Sequence, residues 1–341
     1  MTPEQLALRD SVRALLTKHS NVRAAIEEPG GYDAALWAKL CGEVGIAGLA
    51  IPEEYGGLGV SLTETHVVLA ELGRTLTPAP LLSSTLASQA LLATGNEEAC
   101  ARFLPRIADG AVAALGWAWD EPDTGNRGSA AAGGTLDSVV RYVLDGDLAE
   151  ILLVVANGTV HEVDPHHPGV TREHTPTMDP TRHLATIRLD NAQGQELGPW
   201  NPKIRDIALA ALAAEQVGAA QRALELTVEH TKTRVQFGKP IGSFQALKHR
   251  MADLHALTET ARSAAEAATD EVGAAVAKVY CSEAFQEIAA EMIQLHGGIA
   301  ITWEHDAHLY FKRAHGSAQL FGSPQQHVTR LGRLRAASAG T

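Results

Sequence analysis

Of 341 residues only three are cysteine, Cys41, Cys100 and Cys281. They are far apart, odd in number and show no CxxC spacing, so neither a disulfide framework nor a thiolate metal cluster is written into the chain. Positive charge is also in deficit, with 28 basic residues against 40 acidic and a formal charge of −12. That balance excludes a general nucleic-acid or anionic-membrane surface, although a local basic pocket for a phosphorylated ligand stays open. No apolar run approaches a membrane span. The start, MTPEQLALRDSVRALL, carries early acids and polar periodicity and does not read as a signal peptide. The expected setting is cytoplasmic.

Several signatures of known chemistries are absent as well. There is no GxGxxG after a strand, no Walker loop, no GxSxG and no HExxH. His161, His166 and His167 fall in a Pro-rich stretch, and His305 and His308 sit one helical turn apart. Without accompanying acids they read as solvated histidines, and no metal is expected.

What is present is mainly helical. Thr2-Pro3-Glu4-Gln5 predicts a capping box, with proline at the first helical position. Further helices are expected over 33–44, 62–72 and 81–92, with the glycine-rich PEEYGGLG between the first two. From about 113 the apolar runs become short and β-branched, punctuated by Gly, Pro, Asp and Asn, which predicts strands joined by turns. From 202 the helical signal returns. One long helix is expected over 204–233, two more over 244–268 and 271–295, and helix starts at Thr302 and at the capping box Ser323-Pro324-Gln325-Gln326. The expected organisation is a helical domain (1–112), a small β domain (113–198) and a C-terminal helical bundle (199–341).

Between the long helices lies RVQFGKPIGSFQ. Arginine offers a planar fork matched to phosphate oxygens, and phenylalanine a face for a flat ring. Glycine after Phe237 admits close backbone approach. The plainer alternative has Arg234 capping the long helix and Phe237 filling core.

Four blocks decide between them: LWAKLCGEVGIAGLAIPEEYGGLG, AELGR, RVQFGKPIGSFQALKHRMADL and QLHGGIAITWEHDAHLYFKRA. In order and spacing they resemble the acyl-CoA dehydrogenase family over nearly the whole chain. The resemblance implies a helical domain, a β domain and a helical bundle, assembled into tetramers. It also implies FAD lying across a subunit boundary, an acyl-CoA substrate and a flavoprotein electron acceptor. By analogy Arg234 meets the FAD pyrophosphate and Phe237 packs near the adenosine, while Gln245 and the turn from Gln294 to Gly298 line the same groove.

Against that background the chain departs from the family where a proton must be taken. A carboxylate removes the α-proton of the acyl thioester while hydride leaves Cβ. Most relatives carry it in an EGT-type turn; here that turn reads LFGSPQQH, and Phe321 stands in the acid's place. The alternative family position, early on the long helix, is Ala208. Glu215, about two turns on, is the one internal base candidate, with a surface or packing role as its competitor. In the β domain, DEPDTGN (120–126) replaces a TEPxxGS-like turn, and Tyr142-Val143-Leu144 replaces W-x-T/S, losing a hydroxyl at Leu144.

Three readings remain open. The first is a base-lacking subunit of a heteromeric (α2β2) dehydrogenase, as in some bacterial relatives of steroid side-chain degradation, with a base-carrying partner. The second is a self-sufficient homo-oligomer using Glu215, and the third a flavin-free scaffold or acyl-CoA-binding module.

Overall fold

In the expected capping box, the Gln5 amide donates to Thr2 Oγ1 and the Thr2 amide to Gln5 Oε1, at 3.3 and 3.0 Å. These bonds satisfy two amides that a helix start would otherwise leave bare, and α1 (Pro3–His19) begins there. A computed structural model describes residues 1–119, 129–130 and 134–339. After α1 come a single turn α2 (Val22–Ala25), then α3 (Ala34–Val44), α4 (Leu62–Arg74) and α5 (Leu81–Thr94). Asp33 caps α3, and Gly45 closes it with a left-handed φ of 75°. One further helix, α6 (Glu97–Ala108), was not expected from the periodicity; Asn96 caps it.

The strands are β1 (Ala113–Gly116), β2 (Ser129–Ala130), β3 (Thr135–Leu144), β4 (Ile151–Ala156), β5 (Thr159–Val163), β6 (Val170–His174) and β7 (Leu184–Pro199). They join in the order β1-β4-β5-β7-β3-β2, with β6 also on β7. Only β1–β4 is parallel among these described pairs. The 16-residue β7 serves two neighbourhoods. Its first half pairs with β3 and β6 and its second with β5. Between them Asn191 takes φ 47°, and its amide donates to Asp137 Oδ1 at 2.9 Å. Asparagine tolerates that left-handed backbone better than a branched residue would. Leu136, Val140, Val143, Leu152, Val154 and Ile187 fill the resulting core.

Beyond the sheet, α7 (Lys203–Thr233) runs for 31 residues, about 46 Å at the helical rise. It is followed by a small hairpin, β8 (Val235–Gln236) and β9 (Lys239–Pro240). Then come α8 (Gln245–Glu266), α9 (Glu271–His296), α10 (Ala307–Gln319) and α11 (Pro324–Ala339). The capping box at Ser323 is formed, with bonds of 2.7 and 3.3 Å to Gln326. Thr302 does not start a helix. It follows a short 3-10 turn over Gly297–Ile301, and α10 begins only at Ala307; the Thr302 hydroxyl donates to the Ile299 carbonyl and accepts from the Glu304 amide, closing local turns instead of a helix.

Two compact units result, residues 1–68 with 78–208, and residues 69–77 with the chain from 209 onward. In the second unit small residues set the spacing. Ala213, Val217, Ala261, Ala277, Cys281 and Ala284 pack α7, α8 and α9 together. Gly73 and Gly218 let the end of α4 lie against α7. A Cβ at either would sit 2.2 Å from the Glu215 carbonyl oxygen or 1.9 Å from that of Ala70. Arg74 then forks onto both carboxylate oxygens of Glu225, at 3.0 and 2.7 Å. The AELGR block therefore has a packing reason: a glycine for close approach and an arginine one residue later to lock it.

All three cysteines are buried and free. Among the described residues no helix is long and apolar enough to cross a membrane. One expectation about histidine is corrected: His161 lies on β5 rather than in a loop and is buried, as is His308 on α10. The β4–β5 hairpin points His161 inward, and burial lowers its pKa from the ordinary value.

Candidate functional site

The last turn of α7 leads straight into the RVQFG segment. Arg234 continues the helix through its amide, which donates to the His230 carbonyl at 2.9 Å, and its own carbonyl accepts from Ile241 N–H at 2.8 Å. Phe237 and Gly238 form the two-residue turn between β8 and β9, with φ of 54° and 75°. Those values suit a tight hairpin turn, where glycine is at ease and phenylalanine is not. Phe237 is nonetheless 91% exposed. The core-filling alternative is therefore wrong for Phe237: the hairpin holds an aromatic ring out in the open on a conformationally costly backbone. Edge-on contact with Phe244 at 6.1 Å, and Lys239 over the Phe244 ring at 4.3 Å, brace its base. Arg234 is exposed too, and among the described residues its guanidinium has no hydrogen-bond or ion-pair partner.

QLHGG closes α9 and is brought to the same place. His296 stacks on His230, one turn before Arg234, with ring centroids 4.3 Å apart, and lies 4.6 Å from His305. Its Nδ1 meets the Met292 carbonyl at 2.8 Å, while Nε2 is buried with no hydrogen-bond partner among the described residues. Burial, outweighing the Met292 contact and aided by His230 and His305, pushes the His296 pKa down to about 4, so the ring is neutral near pH 7. Burial, then His305 and Arg234, lowers that of His230. Gln245 opens α8 and Gln294 lies on the last turn of α9; both are exposed. A Cβ on Gly238, Gly297 or Gly298 would meet nothing within 4 Å. An unpaired arginine, an open aromatic face, an orphaned imidazole nitrogen and clear glycine backbone fit an ADP-like group with a pyrophosphate. The histidine stack that couples the two motifs was not read from the sequence. Its only signal was that His230 and His296 lie inside or beside the two informative blocks.

The base positions look different. Phe321 is buried between α10 and α11, with φ 60°, and its carbonyl pairs with His327 Nε2 at 2.9 Å. The turn survives while the carboxylate is gone. Ala208 is buried on α7. Glu215 is buried and ion-paired with buried Arg313 of α10.

In the first unit Leu144 ends β3 and is buried, with no hydroxyl to offer. Tyr142, at φ 57°, stands half-exposed with its ring 6.1 Å from that of Trp119. The Asp120–Asn126 turn lies outside the described residues.

Residues 2–111 match the family described as "Acyl-CoA dehydrogenase, N-terminal domain", and residues 209–334 the corresponding C-terminal domain. The chain belongs to the acyl-CoA dehydrogenase family. Acyl-CoA dehydrogenase IpdE2 of Mycobacterium tuberculosis is 48% identical over 97% of this chain and 98% of its own length. IpdE2 of Mycolicibacterium smegmatis is 44% identical at the same coverage. Among solved structures, the Tcur3481-Tcur3483 steroid ACAD superposes with a TM-score of 0.90 at 31% identity, covering 99% of each chain. The ChsE4-ChsE5 complex of Mycobacterium tuberculosis gives 0.90 at 26% over 98% of each. Helices, a β domain and a C-terminal helical bundle are thus an acyl-CoA dehydrogenase fold.

Proposed function

We propose that this acyl-CoA dehydrogenase chain is the non-catalytic subunit of a heteromeric enzyme, and that it supplies the ADP-holding half of an FAD site to a base-carrying partner. The observation that carries the reading is a contrast between the exposed hairpin and the base positions. Phe237 and Arg234 are held out in the open, whereas every base position is apolar or neutralised: Phe321, Ala208, and Glu215 against Arg313.

Arg234 would meet the pyrophosphate through charge-assisted hydrogen bonds, and Phe237 would pack near the adenosine. Gln245, Gln294 and Gly298 would line the groove. FAD, when bound, supplies the hydride acceptor. The α-proton would be taken by a carboxylate of the partner, because an acid already paired to a buried arginine is a poor base. The names of the ChsE4-ChsE5 and Tcur3481-Tcur3483 structures pair two proteins each, and one is called a steroid enzyme. The pairing favours a heteromeric assembly and the steroid name a bulky, steroid-derived acyl-CoA; the assembly would be α2β2, in the cytoplasm, with electrons passing to an acceptor flavoprotein. The three segments 1–112, 113–198 and 199–341 would serve as the family's three domains.

The test is flavin counted per chain, with and without the co-expressed partner. The expected complex holds two FAD per heterotetramer, and the chain alone is flavin-poor and inactive. One FAD per chain with acyl-CoA oxidation by the isolated protein would overturn this in favour of a homo-oligomeric enzyme.

A further inference from the structure

A second cluster lies in the first unit, among residues given no role so far. Asp147 sits in the β3–β4 turn, His174 ends β6, and His183 precedes β7. The sheet brings them together. His174 pairs across the ladder with Ala185, two residues past His183. The turn is tied to the same strand, since Asp145 N–H donates to the His183 carbonyl at 3.1 Å. His183 Nε2 lies 2.9 Å from Asp147 Oδ2, and the His174 ring is 4.3 Å from the His183 ring. One potential ligand atom from each residue lies within 4.8 Å of the other two.

Three features distinguish this from a simple ion pair. Asp147 Oδ1 is buried with no hydrogen-bond partner among the described residues, so the carboxylate has an unused acceptor. The His183 ring is wedged at its other nitrogen: a Cβ on Gly31, whose φ is 66°, would fall 2.6 Å from Nδ1. That packing leaves Nε2 turned to the cluster. Finally, half-buried Asp145 lies alongside, two residues before Asp147, accepting from Ser83 Oγ at 2.6 Å. The result is two imidazoles and a carboxylate, with solvent on the side of exposed His174.

We propose that Asp147, His174 and His183 bind one divalent transition-metal ion, zinc or a close analogue, which staples the β3–β4 turn to β6 and β7. Two nitrogens and an oxygen suit zinc, cobalt, nickel or copper rather than magnesium or calcium, which take oxygen ligands. Zinc ligands sit at about 2.0–2.1 Å, which puts tetrahedral neighbours roughly 3.3–3.5 Å apart. The cluster must therefore tighten from separations of up to 4.8 Å by up to about 1.4 Å, and rotation of the exposed His174 side chain supplies that movement. Water completes the coordination. The ion would hold the turn that follows Leu144, so its role is to fix the end of β3 rather than to take part in the redox step.

The spacing 147, 174, 183 matches no metal motif, which is why the sequence predicted no metal. Only the β6–β7 register and the turn produce it.

The test uses the full chain, with its partner where the complex is needed for solubility. After treatment with a chelator, cobalt(II) is titrated and its visible absorption followed, and zinc binding is measured by calorimetry. One equivalent is expected to bind with a tetrahedral cobalt spectrum, and zinc is expected to raise the melting temperature. His174→Ala removes an exposed side chain; it should weaken the metal at least about tenfold and abolish the melting shift. Asp147→Asn should do the same where it folds, and His174→Ala decides if it does not. Equal affinity and equal melting response in wild type and His174→Ala, or no binding to either, would overturn the proposal and leave a His–Asp ion pair only.

Discussion

Glu215 and Arg313 illustrate how far a residue's role depends on what it touches. Read along α7, Glu215 is the sole acid that could face the base position; in the fold both it and Arg313 are buried and pair with each other. Removing one partner of such a pair weakens what holds the other charge in its buried place, which costs up to about 3–5 kcal/mol. Glu215→Gln is therefore expected to lower the stability of the full chain by about 3 kcal/mol in a denaturant titration. The double change Glu215→Leu with Arg313→Met should recover most of that. Acyl-CoA oxidation by the isolated wild-type chain that Glu215→Gln abolishes without loss of stability would restore Glu215 as a base. Phe321 was legible as a lost carboxylate from one residue of sequence. That it is buried at φ 60° on a preserved turn was not.

At the scale of elements, the β8–β9 hairpin and the end of α9 act as one device. The stack of His230 on His296 fastens them, and the four-residue interval from His230 to Arg234 carries that fastening one turn up to the guanidinium. Arg234→Ala should cost a charge-assisted contact of about 1.5–3 kcal/mol, roughly ten- to a hundredfold in flavin affinity of the assembled complex, with little change in fold. Flavin fluorescence on dilution reads this; unchanged retention would return Arg234 to a helix-end role. Elsewhere the bundle uses charge for purely structural ends. Lys278 is fully buried on α9, and its ammonium donates to the Ser317 and Ala318 carbonyls at 2.7 and 3.0 Å. Those are among the last carbonyls of α10, which have no partner within their own helix. The helix signals at Thr2, Asp33 and Ser323 were readable because caps are local. The start of α10 was misplaced by five residues because the QLHGG turn and its 3-10 continuation consume the chain first.

Over the whole molecule, two buried histidines act to lower stability on mild acidification, against the opposite pull of Asp145, whose pKa is raised by burial to about 6. His66 on α4 and His296 on α9 both have burial-depressed pKa values of about 4, against 6.5 for the free imidazole. As pH falls through 6.5 the unfolded chain takes up protons that the folded chain refuses. Stability is thus lost progressively between about pH 6.5 and pH 4. Thermal melts from pH 7.5 downward should show this, and His66→Leu should flatten the slope. A slope left unchanged by His66→Leu would contradict the burial-depressed pKa of its ring. The formal charge of −12 does not oppose the trend, since it describes solubility and partners rather than these two sites.

By itself the sequence determined whatever is encoded in short stretches or fixed spacings. That includes the helix caps, the strand-rich middle, the RVQFG and QLHGG blocks, and the loss of a carboxylate at Phe321. These depend on neighbours within a few residues, whose chemistry acts before any packing. Tertiary structure alone decided the partners. Glu215 meets Arg313 across 98 positions, Lys278 reaches Ser317 across 39, and Asp147 meets His183 across 36. Whether an ionisable group is a base, a strut or a ligand rests on desolvation and on the charge opposite it, and both come into being only when distant segments close over it.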